Sequence, residues 1–276
     1  MNDGVSIETI PLYTHLDRIG ISLTALGIGP ADPIRPEQLF PLDQWHYHGV
    51  DAVRLAAERL GLGAASRVLE IGSGIGGPAR YLAHATGCQV TALELQPKVH
   101  AIAADLTRRC GLDGRVLHVC GDALLWPMQD AAFDVVVSWL AVHHIPDRPR
   151  LYARLARALR PGGACYIEDL CMRAPFAPAD LRNLREVAFG VSVDAIEAHV
   201  DELRVAGFAD VEAADQSADW APYTAARLAG WRAGHAAYAR VHGEAAYAAQ
   251  ELFYAVIARL FACGSLGGVR LVARMG

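Results

Sequence analysis

From residue 50 onward, apolar positions along the chain switch repeatedly between two periods. Val50, Val53, Ala57 and Leu60 share one face of a helix, with Asp51, Arg54 and Glu58 elsewhere, and Gly61 or Gly63 can close it. A short apolar strand follows at 67–71 and runs straight into glycines. Residues 78–86 read as helix and 89–95 as strand. The next helix has Pro97 in its first turn, buries Val99, Ile102, Ala103 and Leu106, and stops at Gly111. Three more strands lie at 116–120, 133–138 and 164–169. Between the last two, Leu151, Leu155 and Leu159 form an i, i+4, i+8 stripe. Near-continuous apolar strands alternating with amphipathic helices predict a parallel sheet covered on both faces.

After residue 169 the rhythm changes. The pattern predicts a helix at 195–206, a strand at 211–215, a long helical stretch over 223–262 and a final strand at 268–274, where Val269, Leu271 and Ala273 alternate with arginines. The expected fold is therefore α/β: a seven-stranded, mostly parallel, doubly wound sheet whose last strand is antiparallel and sits beside its predecessor. The organisation expected is an N-terminal lid at 1–49, a Rossmann-like core at 50–215, and a helical insertion with the terminal strand at 216–276. An insertion there would lie over the carboxyl ends of the strands, where ligands of open α/β sheets bind. Trp45-His46-Tyr47-His48 has no core periodicity and marks the N-terminal segment as lid.

Composition narrows the function classes. The 276 residues are 53% hydrophobic and 20% charged, enough for a packed core and unlike a disordered chain. The net charge of −5 argues against a nucleic-acid partner, which requires a clustered basic surface. Arg150, Arg154, Arg157 and Arg160 do cluster, as a solvated helix face would. No apolar run has the ~20 residues of a membrane span, and the N-terminus lacks the basic-then-apolar order of a secretory signal. The six scattered cysteines form no C-x-x-C pair, so free thiols, no metal and a cytoplasmic location are expected.

The chemistry concentrates in Gly72-Ser73-Gly74-Ile75-Gly76-Gly77, where the first strand turns into a helix. Gly72, Gly74 and Gly77 also satisfy the dinucleotide spacing G-x-G-x-x-G. Glu94 ends the second strand roughly 20 residues later, where a carboxylate can accept ribose hydroxyls of either NAD or an adenosyl cofactor. Asp122 follows the third strand, poised for an adenine amino group or for capping a helix. The fourth strand continues through Ser138 and Trp139 to His143 and His144, and Pro161-Gly162-Gly163 turns into the fifth.

With these motifs in this order the chain resembles the class I, Rossmann-like, S-adenosylmethionine-dependent methyltransferases over residues 50–170. The resemblance implies S-adenosylmethionine as cofactor and S-adenosylhomocysteine as product. It implies that Glu70, Gly72, Ser73 and Gly74 flank the methionine half. Glu94 with Leu95 and Gln96 would take the ribose, Asp122 with Ala123 the adenine, and Ser138 would lie beside the cofactor. The second half, with its paired histidines and its helical insertion before a Gly-Gly strand, is similar to the small-molecule branch: sugar O-methyltransferases, sarcosine/dimethylglycine N-methyltransferases and tocopherol-type methyltransferases.

The expected activity is methyl transfer to an oxygen or nitrogen of a small-molecule acceptor. The competing readings are an NAD-dependent oxidoreductase and a non-catalytic cofactor-binding partner subunit; the single lysine, Lys98, argues against a Tyr-x-x-x-Lys oxidoreductase. A hydroxyl acceptor benefits from a base, and His143 or His144 is the candidate, His144 being favoured because even positions after Ser138 would share the cleft face. Packing alone is the alternative for both. Trp45, His46, Tyr47, His48, Trp139, His143 and Glu168, the last beside Asp169 at the end of the fifth strand, are the candidate acceptor contacts. The partners expected are that acceptor and, optionally, further copies of the chain in a homo-oligomer.

Overall fold

The structure, a computed structural model, describes residues 18–276; the expected lid before residue 18 lies outside the described residues. Three helices come first: α1 (Arg18–Ala25), α2 (Pro36–Asp43) and α3 (Gly49–Leu60). The alternation then runs β1 (Arg67–Ile71), α4 (Gly77–Thr86), β2 (Gln89–Glu94), α5 (Pro97–Arg109), β3 (Val116–Cys120), β4 (Phe133–Trp139), α6 (Arg148–Ala158) and β5 (Leu159–Met172). The chain closes with α7 (Pro178–Glu186), α8 (Ile196–Val205), β6 (Phe208–Asp215), α9 (Ser217–Ala233), α10 (His235–His242), α11 (Glu244–Ala262) and β7 (Leu266–Met275).

One seven-stranded sheet runs in the order β3-β2-β1-β4-β5-β7-β6. The strands from β3 to β5 are parallel, and β7 inserts antiparallel between β5 and β6. That insertion separates the sheet from the all-parallel 3-2-1-4-5-6 order of NAD-binding Rossmann folds.

Strand alternation gives the sheet two apolar faces. Leu69, Val136, Cys165, Ile167 and Leu271 pack under Leu151, Tyr152 and Leu155 of α6 and Leu203 of α8. Val68, Val90, Val135, Val137 and Tyr166 pack under Val53 and Ala56 of α3 and Ala79 and Leu82 of α4. With both faces covered, the strands need no polar alternation, which is why they read as continuous apolar runs. Leu159 is not the last turn of α6 as the stripe predicts. It opens β5 opposite Phe133, because Pro161 and Gly162 (φ +71°) follow and end helical geometry.

A third cluster stands off the carboxyl end of the sheet. Tyr47, Leu170, Leu184, Trp220, Ile257, Leu260 and Phe261 join the loop before α3 to α9 and α11. A fourth places α1 and α2 against α5 through Leu23, Leu39, Val99 and Leu106. The predicted single stretch 223–262 is thus three helices, starting earlier at Ser217 and broken at Gly234 and Gly243. Helices α1, α2 and α7 are additions to the sequence-based picture.

Candidate active site

The glycine turn after β1 is built by its own backbone. Gly72 and Ser73 both donate N–H to Leu93 O, at 2.9 and 3.0 Å, which pulls the loop across β2. Gly72 has φ +67°, and a Cβ there would lie 2.3 Å from the Ala141 Cβ, so only glycine lets the loops after β1 and β4 meet. Gly74 has φ +54° with open space around it, and a ligand can reach its main chain.

Glu94 braces this turn from below: Gly74 N–H donates to Oε2 and Gln96 N–H to Oε1, both at 2.9 Å. Each oxygen keeps acceptor capacity toward the cavity. Burial pushes the Glu94 carboxyl above its usual range against these hydrogen bonds. Glu70 is buried, its Oε2 has no partner among the described residues, and burial pushes it up to about 8; Arg80 pulls the other way and Glu94 adds to the rise. The Ser73 hydroxyl and Trp139 Nε1 are likewise buried without a partner among the described residues. Orphaned buried polar atoms are uncommon in proteins and cluster here around one space. Asp122 Oδ1 accepts Leu124 N–H at 2.7 Å within a turn, and no helix follows it to be capped.

That space is a cavity of about 430 Å³. One side is lined by Glu70, Gly72, Ser73, Gly74, Glu94, Leu95, Gln96, Asp122 and Ala123, and Trp45, His46, Tyr47, Trp139, His143 and His144 also line the cavity. The structure brings these sequence-predicted residues together around one cavity. Three expected site residues do not line it. Ser138 donates its hydroxyl to Ile71 O at 3.0 Å and steadies the strand end before the glycine turn. His48, in left-handed backbone (φ +57°), sets Nε2 2.8 Å from Asp219 Oδ2 and its ring against Tyr223, tying the chain before α3 to α9. Glu168 is buried with Arg270 at 2.7 Å and the Tyr166 hydroxyl at 2.6 Å. Glu168 and Asp169 were expected at one cleft mouth, but adjacent strand residues point to opposite faces. Asp169 goes the other way, to His143.

Residues 142–144 form a single 3-10 turn, so the even-position argument that favoured His144 does not carry past Trp139. His143 Nδ1 lies 2.5 Å from Asp169 Oδ1, and Asp169 Oδ2 accepts the backbone N–H of the same histidine at 2.9 Å. The pairing fixes the ring so that Nδ1 faces the carboxylate and leaves Nε2. Burial works against the Asp169 charge, but His143 and Leu170 N–H hold its carboxyl below the usual range. His144 Nδ1 donates to Phe189 O at 2.8 Å; burial first, and then His143, lower it to about 3. His46 is lowered to about 4 by burial, and its Nε2 donates to Gly49 O at 2.9 Å.

The helical cap completes the walls with residues that no motif marked: Arg18 from α1, Arg227 and Trp231 from α9, Gln250, Phe253 and Tyr254 from α11. Helical periodicity there signals burial alone, and these side chains meet only through long-range folding. Buried Arg80 pairs with Asp43 at 2.9 Å and donates to Thr107 Oγ1 at 3.1 Å, tying the end of α2 to α4 and α5 beside the glycine turn.

Residues 69–167 match the family model described as "Methyltransferase domain". The chain is 38% identical over 167 residues to 27-O-demethylrifamycin SV methyltransferase of Amycolatopsis mediterranei, covering 58% of this chain and 60% of that one. It spans 60% or less of the length of the first curated relatives it matches. Among solved structures, Haemonchus contortus phosphoethanolamine N-methyltransferase 2, with phosphomonomethylethanolamine and S-adenosylhomocysteine, superposes at a TM-score of 0.77 (21% identity, 96% of this chain, 61% of that one). The [4+2]-cyclase SpnF superposes at 0.70 (23% identity, 96% and 94%). Residues 69–167 thus match a methyltransferase domain, and sheet order, glycine turn and strand-end carboxylates agree with the class I, Rossmann-like methyltransferase fold of these neighbours.

Proposed function

We infer that this protein transfers a methyl group from S-adenosylmethionine to an oxygen or nitrogen of a small-molecule acceptor. The observation that carries the reading is one cavity with two unlike walls. Spare carboxylate and backbone groups line the floor, and an aromatic ceiling with a carboxylate-held histidine lines the rest. The floor fits the cofactor by its chemistry: Glu94 would hold the ribose, Asp122 the adenine, and Glu70 with Ser73 the cationic methionine end. When bound, the cofactor supplies an electrophilic methyl on a sulfonium.

The chain supplies alignment, which can gain roughly 7–11 kcal/mol over free encounter, and exclusion of water. Asp169 holds His143 in one orientation and stabilises positive charge on it. His143 Nε2 is then the site that accepts the acceptor's proton, a step worth roughly 10²–10⁴-fold for a hydroxyl. His144, fixed to Phe189 O and lowered to about 3, is a poor proton acceptor and serves as the ring against which His143 packs, with centroids 3.9 Å apart. The catalytic order expected from sequence, His144 before His143, is therefore reversed in this reading. Residues 18–49 together with α9, α10 and α11 act as the cover over the cavity.

The test has two parts. S-adenosylmethionine and S-adenosylhomocysteine should each raise the melting temperature by mass action, and NAD should not. Incubation of the protein and a labelled methyl donor with a metabolite extract should yield a labelled small molecule and S-adenosylhomocysteine. Stabilisation by NAD alone would overturn the cofactor, and cofactor binding without any methylated product would leave a binding subunit.

A further inference from the structure

Two arginines face the cavity, and their surroundings differ. Arg18 is engaged: it donates Nη1 to Gln250 Oε1 at 3.0 Å, and its guanidinium sits 4.2 Å above the Trp45 ring. Arg227, half-buried on α9, has its guanidinium 4.8 Å from the centroid of the Tyr254 ring, with Tyr223 and Tyr47 beside it. Among the described residues no carboxylate pairs with it, although the structure pairs most of its other enclosed arginines: Arg80 with Asp43, Arg148 with Glu202, Arg270 with Glu168.

A guanidinium carries several N–H donors in a planar fork and stays charged at all working pH values. Half-buried among aromatic rings and hydrogen-bonded to Tyr254, it has given up part of its water without gaining an anion, an arrangement that a ligand oxyanion would complete. Its charge acts on His46 and Tyr47, two of the acceptor-side residues of the cavity. From α9 and α11 the same cavity is also lined by Trp231, Phe253 and Ile257.

We propose that Arg227 is the anchor for an oxyanion on the acceptor: the substrate is an amphipathic molecule with a carboxylate or phosphate at one end and an apolar body against α11. The fork geometry matches two oxygens of such a group at once, which a hydroxyl cannot offer. Tyr254 holds the arginine plane by its ring, and the neighbouring tyrosines keep water and competing carboxylates away from it. The proposal takes from the methyltransferase reading that an acceptor enters this cavity, and it is tested without turnover.

Calorimetric titration with decanoate, decyl phosphate and decan-1-ol, in the presence of S-adenosylhomocysteine, reads the site directly. At least one of the two anions should bind about tenfold or more tighter than the alcohol, and the tighter of them identifies the group. Arg227→Met should abolish that preference while leaving S-adenosylhomocysteine affinity unchanged, and Arg18→Gln should preserve it. Equal affinity for anion and alcohol, no anion binding at all, or a preference that survives R227M or vanishes in R18Q instead would each overturn the assignment. If R227M does not fold, the parent's anion-to-alcohol ratio decides, a ratio near one being fatal. Failure of S-adenosylhomocysteine to bind would sink the methyltransferase reading, and the same titrations without it would still read Arg227.

Discussion

Asp169 holds both ends of His143: one carboxylate oxygen takes the ring nitrogen at 2.5 Å and the other takes the backbone N–H at 2.9 Å. A side chain gripped at backbone and ring loses little further entropy when it acts, which is what a base for an oriented displacement requires. His143→Ala should lower turnover on a hydroxyl acceptor by roughly 10²–10⁴-fold, and Asp169→Asn should fall within the same range because an amide can present the wrong hydrogen-bonding group to Nδ1. Cofactor affinity should stay near the parent value in both. His144→Asn should cost far less turnover. A large loss in H144N with little in H143A, measured with cofactor saturating, would restore His144 as the base.

Glu70 gives the cofactor end its own signature. Burial holds this carboxyl protonated up to about 8, so near pH 7 it is largely neutral in the free protein. A cationic amine beside it favours the ionised form, and binding should therefore expel a proton. The calorimetric enthalpy of S-adenosylhomocysteine binding at pH 7 should depend on the ionisation enthalpy of the buffer. Glu70→Gln should remove that dependence. Equal enthalpies across buffers in the parent protein would show that Glu70 does not meet the charged group.

Glu94 acts differently, because its oxygens already accept Gly74 and Gln96 N–H. On the proposed reading, Glu94→Ala would remove charge-assisted hydrogen bonds to the ribose, each worth ~1.5–3 kcal/mol, along with the brace beneath the glycine turn. Cofactor affinity should fall by at least tenfold, and Glu94→Gln, which keeps one acceptor oxygen, should recover part of it. Titration of S-adenosylhomocysteine into both variants checks this, and unchanged affinity in E94A would make Glu94 a purely structural brace.

How much of this was legible depends on the range over which each signal acts. The strand-end residues that line the cavity were readable because β1, β2 and β3 announce themselves by largely apolar runs that lead into Gly72, Glu94 and Asp122. Strand alternation separates Glu168 from Asp169, but a sequence does not say which of the two faces the site; the register opposite Arg270 does. The argument that favoured His144 loses its force for a similar reason: alternation does not extend into the 3-10 turn that follows β4. Arg227 and Tyr254 were invisible, since α9 and α11 meet through packing and neither residue breaks its helix's pattern. The break of the long helical stretch at Gly234 and Gly243 was in plain sight, and the uninterrupted Ala-rich composition around those glycines masked it.

The pair Gly267-Gly268 in β7 has a packing role that reaches the site. A Cβ at Gly268 would lie 2.1 Å from Trp220 Cε3, and one at Gly267 2.2 Å from Ser217 Oγ. Trp220 is fully enclosed, and Tyr47 stands edge-on to it with centroids 4.7 Å apart. Gly268→Ala should destabilise the protein by about 1–3 kcal/mol, the usual cost of overpacking, and displace Tyr47 from the cavity wall. A lowered melting temperature with weakened acceptor binding is expected. An unchanged melting temperature would mean that α9 can slide off β7 freely.

Stability against pH carries opposing contributions whose signs can be worked out. His46 and His199 are lowered to about 4, and His118 and His144 to about 3, in each case chiefly by burial. Below about 6.5 the unfolded chain takes up protons at these positions that the folded chain refuses, so stability is lost as pH falls from about 6.5 toward 3–4. Glu70 has the opposite sign: its folded form keeps a proton that the unfolded form releases above about 4.5, so stability is lost as pH rises from about 4.5 through about 8. Glu94 and Asp43, both raised by burial, act in the same direction as Glu70. Between about 6.5 and 8 only the carboxyl effect operates, and below 6.5 four histidines oppose three carboxyls. The melting temperature should therefore pass through a maximum near pH 6.5. Glu70→Gln should flatten the alkaline limb, and saturating S-adenosylhomocysteine should flatten it too, because the bound amine makes ionised Glu70 favourable. A melting temperature that keeps rising from pH 6.5 to 8 in the free protein, and is indifferent to E70Q, would show that Glu70 is ionised there and that the proton-release account of cofactor binding is wrong.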